Sequence, residues 1–477
     1  MNRRDYLKHS AALLAASALP GCGERGFRAR GDVAGGASSP DLRELFDRGE
    51  VPIERSGWTK TRGMAPAHAA LQGDVQADVL VVGAGLAGAS LALHLAQAGI
   101  RVVVLEARQP GWGASGRNAG HVLPVLKDLE VVRGFPDGGR QFLELFREHR
   151  SITFDLARRH GIECDGVQSG YLNVMRSKGA FEDFDAEAKR LENEQGLEVE
   201  RLGAADVARL TGSSYYPYGV LYKAGGRINP YLFANGMVSA AIRHGATVHG
   251  HSEARTLAAS GKRWRVSTAS GSVTADRVVF CTNAYPTRIV PEFADSFYPL
   301  TAYALSTRPL PPEARAIVMP AGATLAQAPI DLNPFVVDGE GRIITSSIPS
   351  VWRPEDAAWH FGNHLAWIHR TWPQTRDLDI ELETYWTGRV ALRDREFPGA
   401  FAVRPGVFGL MHFNAWGNLM APLMGMLLAN ALAADRMDRL AFPLEKPERV
   451  ARPGKQDLII RELLIPAARM GQKVGLI

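Results

Sequence analysis

Residues 78–90 read DVLVVGAGLAGAS, and the fold turns on this stretch. Asp78 to Val82 is a short apolar strand that runs straight into Gly83-x-Gly85-x-x-Gly88. A helix with small residues on its early turns follows, and then a second strand, RVVVLE, ends at Glu106. The spacing has a physical reason at each glycine. Gly83 permits the tight turn, Gly85 lets the backbone approach a pyrophosphate, and Gly88 lets the helix pack on the strand. The helix N-terminus then offers unpaired N–H groups to the phosphates. Glu106, at the end of the second strand, is placed to hydrogen-bond the adenosine ribose hydroxyls, where an acid disfavours a 2′-phosphate. Strand, turn, helix, strand and acid within 30 residues predict a Rossmann-type α/β domain that binds FAD or NAD.

The chain around this unit has 477 residues, more than one ordinary domain needs. With 46% hydrophobic and 22% charged residues it reads as globular. The formal charge is +5, with the basic residues scattered and no basic stripe interleaved with aromatics, which argues against nucleic acid as a partner. Three cysteines, Cys22, Cys164 and Cys281, make neither a disulfide framework nor a zinc pair. His360 and His364 stand at helical i, i+4 spacing in PEDAAWHFGNHLAWIHRTWP, with His369 beyond, but without the carboxylate of an HExxH motif. We read them as an ordinary helix face and expect no metal site.

The segment after Glu106, ARQPGWGASGRNAGHV (107–122), separates FAD from NAD. Here the sequence resembles the D-amino-acid-oxidase-like superfamily of FAD-dependent amine oxidoreductases, nearest to γ-glutamylputrescine oxidase-like members. Those carry GWGASGRNGG at this position, so Ala119 and His121 are local departures. The resemblance runs from about Gly57 to the C-terminus. It implies that this loop lies along the FAD diphosphate and ribityl chain, with Ser115, Gly116, Arg117 and Asn118 contacting the cofactor. Arginine and serine suit a diphosphate, and glycines allow close approach. Two further blocks match: GGRINPYLFANGMVSAAIRHGATVHG (225–250), with its Asn229-Pro230 helix start, and GSVTADRVVFCTNAY (271–285), a strand ending in a small-polar turn. Cys281 in that turn reads as a buried, inert thiol. The last block, GVFGLMHFNAWGNLMAPLMGMLLANAL (406–432), resembles the C-terminal flavin-binding segment of glycine-oxidase-like members. The resemblance implies a helix starting at Gly417, Asn418, Leu419 and Met420 and pointing at the pyrimidine edge of the flavin. A helix N-terminus there favours negative charge on the reduced ring.

These blocks predict an FAD domain assembled from 76–125, 225–295 and 385–435. The intervening 126–224 and 296–384 form a mixed-sheet α+β substrate domain, and 436–477 an extension. FEDFDAEAKRLENEQG (181–196) reads as a charged surface helix. YPLTAYALSTRPL, PFVVDGEGRIITSS and LETYWTGRVAL alternate like antiparallel strands. The amphipathic LIIRELLIPAARM in the extension is expected to pack back on the body.

What the resemblance implies chemically is hydride removal from the carbon bearing an amine, with FAD supplying the oxidising power. A free alkylamine has a pKa of about 10, so a desolvated pocket is needed to favour its neutral form. Candidate catalytic contacts are His412 and Trp416 in the flavin segment and Arg389 in YWTGRVALRDREFPG. Acid-oxidising members place an arginine in this strand to hold a carboxylate by a bidentate pair. Covalent attachment of the flavin through His121 is not indicated by the motif. The departures fall in the substrate half: Arg393 stands where a threonine is usual, SSIPS (346–350) replaces a glycine turn, and NAWGN (414–418) is one residue longer. The donor is therefore left open as an amine or an amino acid, and oxygen or a membrane quinone as acceptor. A nonenzymatic flavin-bound subunit and a dehydrogenase of a different donor remain as alternatives.

At the start of the chain, NRRDYLK followed by an alanine-rich apolar run matches a Tat export signal at Arg3, Arg4, Leu7 and Lys8. LPGC (19–22) resembles a lipobox, in which Cys22 is acylated. Residues 23–52, rich in Gly, Arg and Ser, read as a flexible tether. Together they predict a Tat-translocase client, periplasmic or membrane-tethered through Cys22. The Tat route carries folded proteins, which agrees with FAD loading before export.

Overall fold

The computed structural model describes residues 52–286, 289–349, 356–451 and 459–473. The signal and the lipobox-like Cys22 lie outside the described residues, as does the tether but for Pro52.

Strand β1 (Gly73–Val82) leads through the glycine turn into helix α1 (Leu86–Gln97) and strand β2 (Val102–Leu105). After a long excursion come helix α2 (Pro230–Arg243), β3 (Thr247–His249) and β4 (Gly271–Phe280). The chain continues through β5 (Tyr298–Thr307), α3 (Ala357–Thr371), β6 (Leu382–Leu392), β7 (Gly399–Arg404), β8 (Val407–Met411), α4 (Gly417–Ala433) and α5 (Ile465–Lys473). The nucleotide sheet runs in the order β7-β8-β4-β1-β2-β3, with a hairpin (Thr256–Ser260, Arg263–Ser267) added to β4. β1 pairs parallel with both β2 and β4, and β4 parallel with β8, while β7 returns antiparallel on β8. The buried end of β1, Val79–Val82, and β2 read as continuous apolar runs because helices cover a parallel sheet.

The second sheet has the order β6-β5-(Ile343–Ser347)-(Phe335–Val337)-(Thr324–Gln327)-(Tyr171–Met175)-(Tyr218–Tyr222)-(Val199–Leu202). Its one parallel pair, Thr324–Gln327 with Tyr171–Met175, joins the two halves of the substrate region and makes the sheet mixed. One boundary is corrected here. The expected FAD segment 385–435 begins too early, because residues 385–392 belong to β6 and pair antiparallel with β5 from Tyr298↔Leu392 to Leu305↔Tyr385. Alternation along β6 is satisfied by that partner, so the chain enters the nucleotide sheet only at β7.

α1 packs between α2 and α4. Its crossing with α4 is close: a Cβ at Gly425 would lie 2.9 Å from the Ala87 carbonyl oxygen. Ser90 donates to the Pro422 carbonyl at 2.8 Å across the same crossing. Pro422 sits inside α4 and has no N–H for the Asn418 carbonyl four residues back. Thr153, fully buried on a neighbouring helix, supplies the missing donor at 2.7 Å. The helix thus keeps its ladder satisfied through a tertiary contact.

The extension packs back on the substrate half. Arg461 donates to the Pro349 carbonyl at 2.7 Å, and Gln472 on α5 to Gln327 Oε1 at 3.1 Å. Arg393, the departure after β6, pairs with Glu445 at 2.6 Å and so pins the chain that follows α4. No helix among the described residues is long and apolar enough to cross a membrane.

Candidate active site

The glycine turn is shaped by backbone crowding. Gly83 has φ +105°, and a Cβ there would meet the Cys281 carbonyl oxygen at 2.8 Å. A Cβ on Gly88 would lie 1.9 Å from the Gly83 carbonyl oxygen, so α1 starts in contact with the turn. Gly85 faces Ser115 Oγ, 2.7 Å from where its Cβ would be. The Glu106 carboxylate accepts from the Ala84 amide at 2.8 Å and the Arg108 amide at 2.9 Å. Each oxygen keeps a second lone pair for a ribose hydroxyl. Burial pushes this carboxyl upward, against the Ala84, Arg108 and Ala107 amides and the Arg108 charge, which favour the ionised form.

The loop after β2 crosses itself at Gly116, where a Cβ would fall 2.2 Å from the Gly111 carbonyl oxygen. Ser115 Oγ accepts from the Leu86 amide at 2.9 Å, the first turn of α1. Arg117 is buried; it donates to the Trp112 carbonyl at 2.7 Å and stacks 4.7 Å above the Trp112 ring. Asn118 and Asn418 exchange amide hydrogen bonds at 3.1 and 2.9 Å, and Asn418 also donates to the His121 carbonyl at 2.8 Å. This pair ties the loop to the N-terminus of α4. The segment before β1 holds the same loop from behind. Trp58 donates to the Asn118 carbonyl at 2.7 Å, and Ser56 to the Gly116 carbonyl at 3.0 Å.

A cavity of about 330 Å³ lies between these elements and the second sheet. Gly85, Ser115, Arg117, Asn118, Gly417, Asn418 and Leu419 line one side, and Tyr171, Tyr303 and Asp331 the other. Gly83, Gly88, Glu106 and Gly116 stand behind the wall, shaping the turn and the loop.

Of the three candidate catalytic residues, Trp416 and Arg389 line the cavity. Trp416 donates to the Leu123 carbonyl at 3.2 Å, and the Arg389 amide bonds the Tyr285 hydroxyl at 3.2 Å. His412 is a correction: its ring is not on the cavity wall. At the end of β8 its backbone turns to φ +60°, which leaves Phe413 on the wall and sends the imidazole between Phe297 and Phe401, 5.0 and 5.5 Å away. Neither ring nitrogen has a partner, and burial with the nearby Arg393 charge drives its pKa well down. A neutral, walled-off imidazole cannot exchange a proton with a donor. Met420 is likewise fully buried in the core, off the cavity wall.

His360, His364 and His369 serve packing and hydrogen bonding. His364 bonds the Tyr303 hydroxyl at 2.8 Å, His360 stacks on Tyr385, and His369 bonds Thr375 at 3.0 Å. Among the described residues no group of three or more His, Cys, Asp or Glu could hold a metal ion. Cys281 is on the cavity wall but burial pushes its thiol far up, as it pushes Cys164 to about 12.

Sequence reasoning gave no catalytic or binding role to three residues that line the cavity: His121, Lys127 and Asp331. Only His121 had a signal, as a departure inside the GWGASGRNGG-like loop. Both its ring nitrogens are buried without a partner, facing a cavity that a polar ligand would fill. With the glycine cradle, the free lone pairs of Glu106 and two helix N-termini at one cavity, these residues fit an FAD. Burial lowers the His121 imidazole to about 3, and that of His94 on α1 to about 4. In the unfolded chain each takes a proton near pH 6.5. As pH falls below that value the unfolded state binds protons that the folded state lacks, so stability declines down toward pH 3. His121→Gln should lessen the fall in melting temperature between pH 7.5 and 5; an unchanged slope would contradict this assignment.

Residues 78–431 match the family model described as FAD dependent oxidoreductase (DAO). The chain is similar to the gamma-glutamylputrescine oxidoreductase of Escherichia coli, with 28% identity over 78% of this chain and 87% of that one. In three dimensions it is similar to the glycine oxidase of Bacillus cereus (17% identity, TM-score 0.63, covering 79% of this chain and 100% of that one). It is also similar to an L-amino acid deaminase of Proteus vulgaris (18% identity, TM-score 0.63, covering 84% and 98%). With the dinucleotide turn, the loop and the α4 terminus meeting at one cavity, the chain belongs to the DAO family of FAD-dependent oxidoreductases.

Proposed function

We propose that this enzyme oxidises the C–N bond of a small amine or amino acid, and that it does so outside the cytoplasm after Tat export. The observation that carries the chemistry is the shared cavity: the nucleotide cradle and the substrate sheet face each other across one space, with charged side chains on the substrate side. FAD, when bound, supplies the two-electron oxidation. The chain's own residues do the rest. The α1 and α4 termini offer N–H groups to the cofactor's anionic parts. Trp416, Phe413 and Tyr303 make the wall apolar, which excludes water and favours the neutral amine. Arg389 is positioned to hold a donor's carboxylate where it has one. The names of the similar proteins, acting on a glutamylated diamine, glycine and L-amino acids, support this donor class.

The test is an anaerobic titration of the yellow holoenzyme with amines and amino acids, read as loss of flavin absorbance. Readmitting oxygen or a quinone then identifies the acceptor. No bleaching with any amine or amino acid overturns the donor class. For the address, replacing Arg3 and Arg4 with lysine should strand yellow protein in the cytoplasm. Undiminished export would refute the Tat reading.

A further inference from the structure

The loop between Thr324–Gln327 and Phe335–Val337 carries Asp331 onto the cavity wall. One carboxylate oxygen, Oδ1, is held by two backbone amides of the same loop, Gln327 at 3.2 Å and Asn333 at 3.3 Å. No described residue hydrogen-bonds the other oxygen, Oδ2. Asp331 is an exposed residue, and it lines the cavity. The loop is braced from outside by α5: Arg469 donates to the Leu332 carbonyl at 2.8 Å and to Asn333 Oδ1 at 2.7 Å. Arg469 also bonds Gln472 and Tyr303, and among the described residues Asp331 has no direct ion pair. An oriented carboxylate with one unspent oxygen, facing the space opposite the nucleotide cradle, is a receptor for a cation.

We propose that Asp331 receives the donor's ammonium group in this cavity and takes its proton before the C–H bond is broken. This rests on the amine-oxidation reading above. In that step an N–H bond of the ammonium breaks, an O–H bond forms at Asp331 Oδ2, and the electron pair stays on nitrogen. The neutral amine is then the form that could lose its C–H as a hydride and leave as an iminium, with FAD, when bound, supplying the two-electron oxidation. The carboxyl suits this use, since burial raises it to about 7 despite the two amides and the Arg469 charge that favour ionisation. The other groups facing this space are accounted for. Tyr171 is held protonated by burial and by the Asp331 charge, and His121 is neutral. Tyr303 and the Cys281 thiol are held protonated by burial; Lys127, its pKa lowered by burial, Arg117 and Arg389 share the cavity wall.

The experiment uses full-length holoenzyme and n-propylguanidinium, which stays charged throughout the pH range and is read by its perturbation of the flavin spectrum. Between pH 6 and 8.5 its Kd should fall about tenfold, following the ionised fraction of a group that titrates near 7. Asp331→Asn should keep its FAD content and lose this pH dependence, and Asp331→Glu should restore it. With an amine donor, wild-type kcat/KM should be bell-shaped, with limbs near 7 and near the amine's own pKa of about 10. In Asp331→Asn it should drop about a hundredfold at pH 8 and rise monotonically toward pH 10. An Asp331→Asn enzyme that keeps the limb near 7, or binds guanidinium with unchanged pH dependence, overturns the proposal. If no amine bleaches the wild type but guanidinium binding still follows Asp331, the donor reading and the proton step fall while the cation site stands.

Discussion

Purified Gly88→Ala protein is expected to be colourless, carrying less than about a tenth of the FAD bound by the wild type. In an ordinary helix this substitution stabilises by ~1 kcal/mol, because alanine is the better helix former. Here the added methyl would sit 1.9 Å from the Gly83 carbonyl oxygen and 3.2 Å from Val81 Cγ1. Backbone cannot yield as a flexible side chain can, so α1 must move off the turn that positions its first amides. That movement displaces Leu86 from Ser115 and the helix terminus from the pyrophosphate position. Gly179→Ala is the control, since it lies in the surface helix Lys178–Gln195 with nothing within 4 Å of its added methyl. That variant should hold its FAD and gain slightly in melting temperature. The measurement is flavin absorbance per protein, with thermal unfolding alongside; a yellow Gly88→Ala enzyme would show that the close contact is dispensable.

Asn418→Leu should be the second most damaging change. Leucine matches the size of the amide but removes its bonds to Asn118 and to the His121 carbonyl. Asn118 and His121 then lose partners at a half-buried site, at a cost of roughly 1–3 kcal/mol for each group left unsatisfied. The loop that follows β2 and the N-terminus of α4 are held together by this contact, so both sides of the cofactor site loosen together. We expect a melting-temperature drop of several degrees and FAD affinity weakened by at least about tenfold, measured by fluorescence of reconstituted flavin. Asn118→Ala should reproduce most of the loss, and the double variant should lose little more, with a coupling of about 1–2 kcal/mol. Additive losses would mean the two side chains act independently.

Much of the nucleotide half was legible in the chain because its requirements are local. A turn that must adopt φ +105° at Gly83, a helix start that leaves no room for a Cβ at Gly88, and an acid at the end of β2 are all written within 30 residues. The same holds for the Asn229 cap of α2, whose side chain accepts from the Leu232 amide at 3.1 Å. The alternation of β5 and β6 was equally readable, but their pairing with each other was not. A segment that begins at residue 385 therefore puts most of β6 in the wrong half.

The site shows the same division. Sequence alone established the Rossmann-type turn and a dinucleotide site, because short-range sterics and hydrogen bonding dictate them, while FAD and the role of the loop that follows β2 came from the resemblance to a known family. Only the tertiary structure could decide which distant side chains share the cavity. It paired Asn118 with Asn418 across 300 residues, supplied Thr153 to the carbonyl that Pro422 leaves bare, and turned His412 away between two phenylalanines. It also brought Asp331 to the wall and braced its loop with Arg469 from the extension. The physical reason is that a side chain's chemistry depends on its burial and its partners, and those are properties of the packed chain rather than of neighbouring residues.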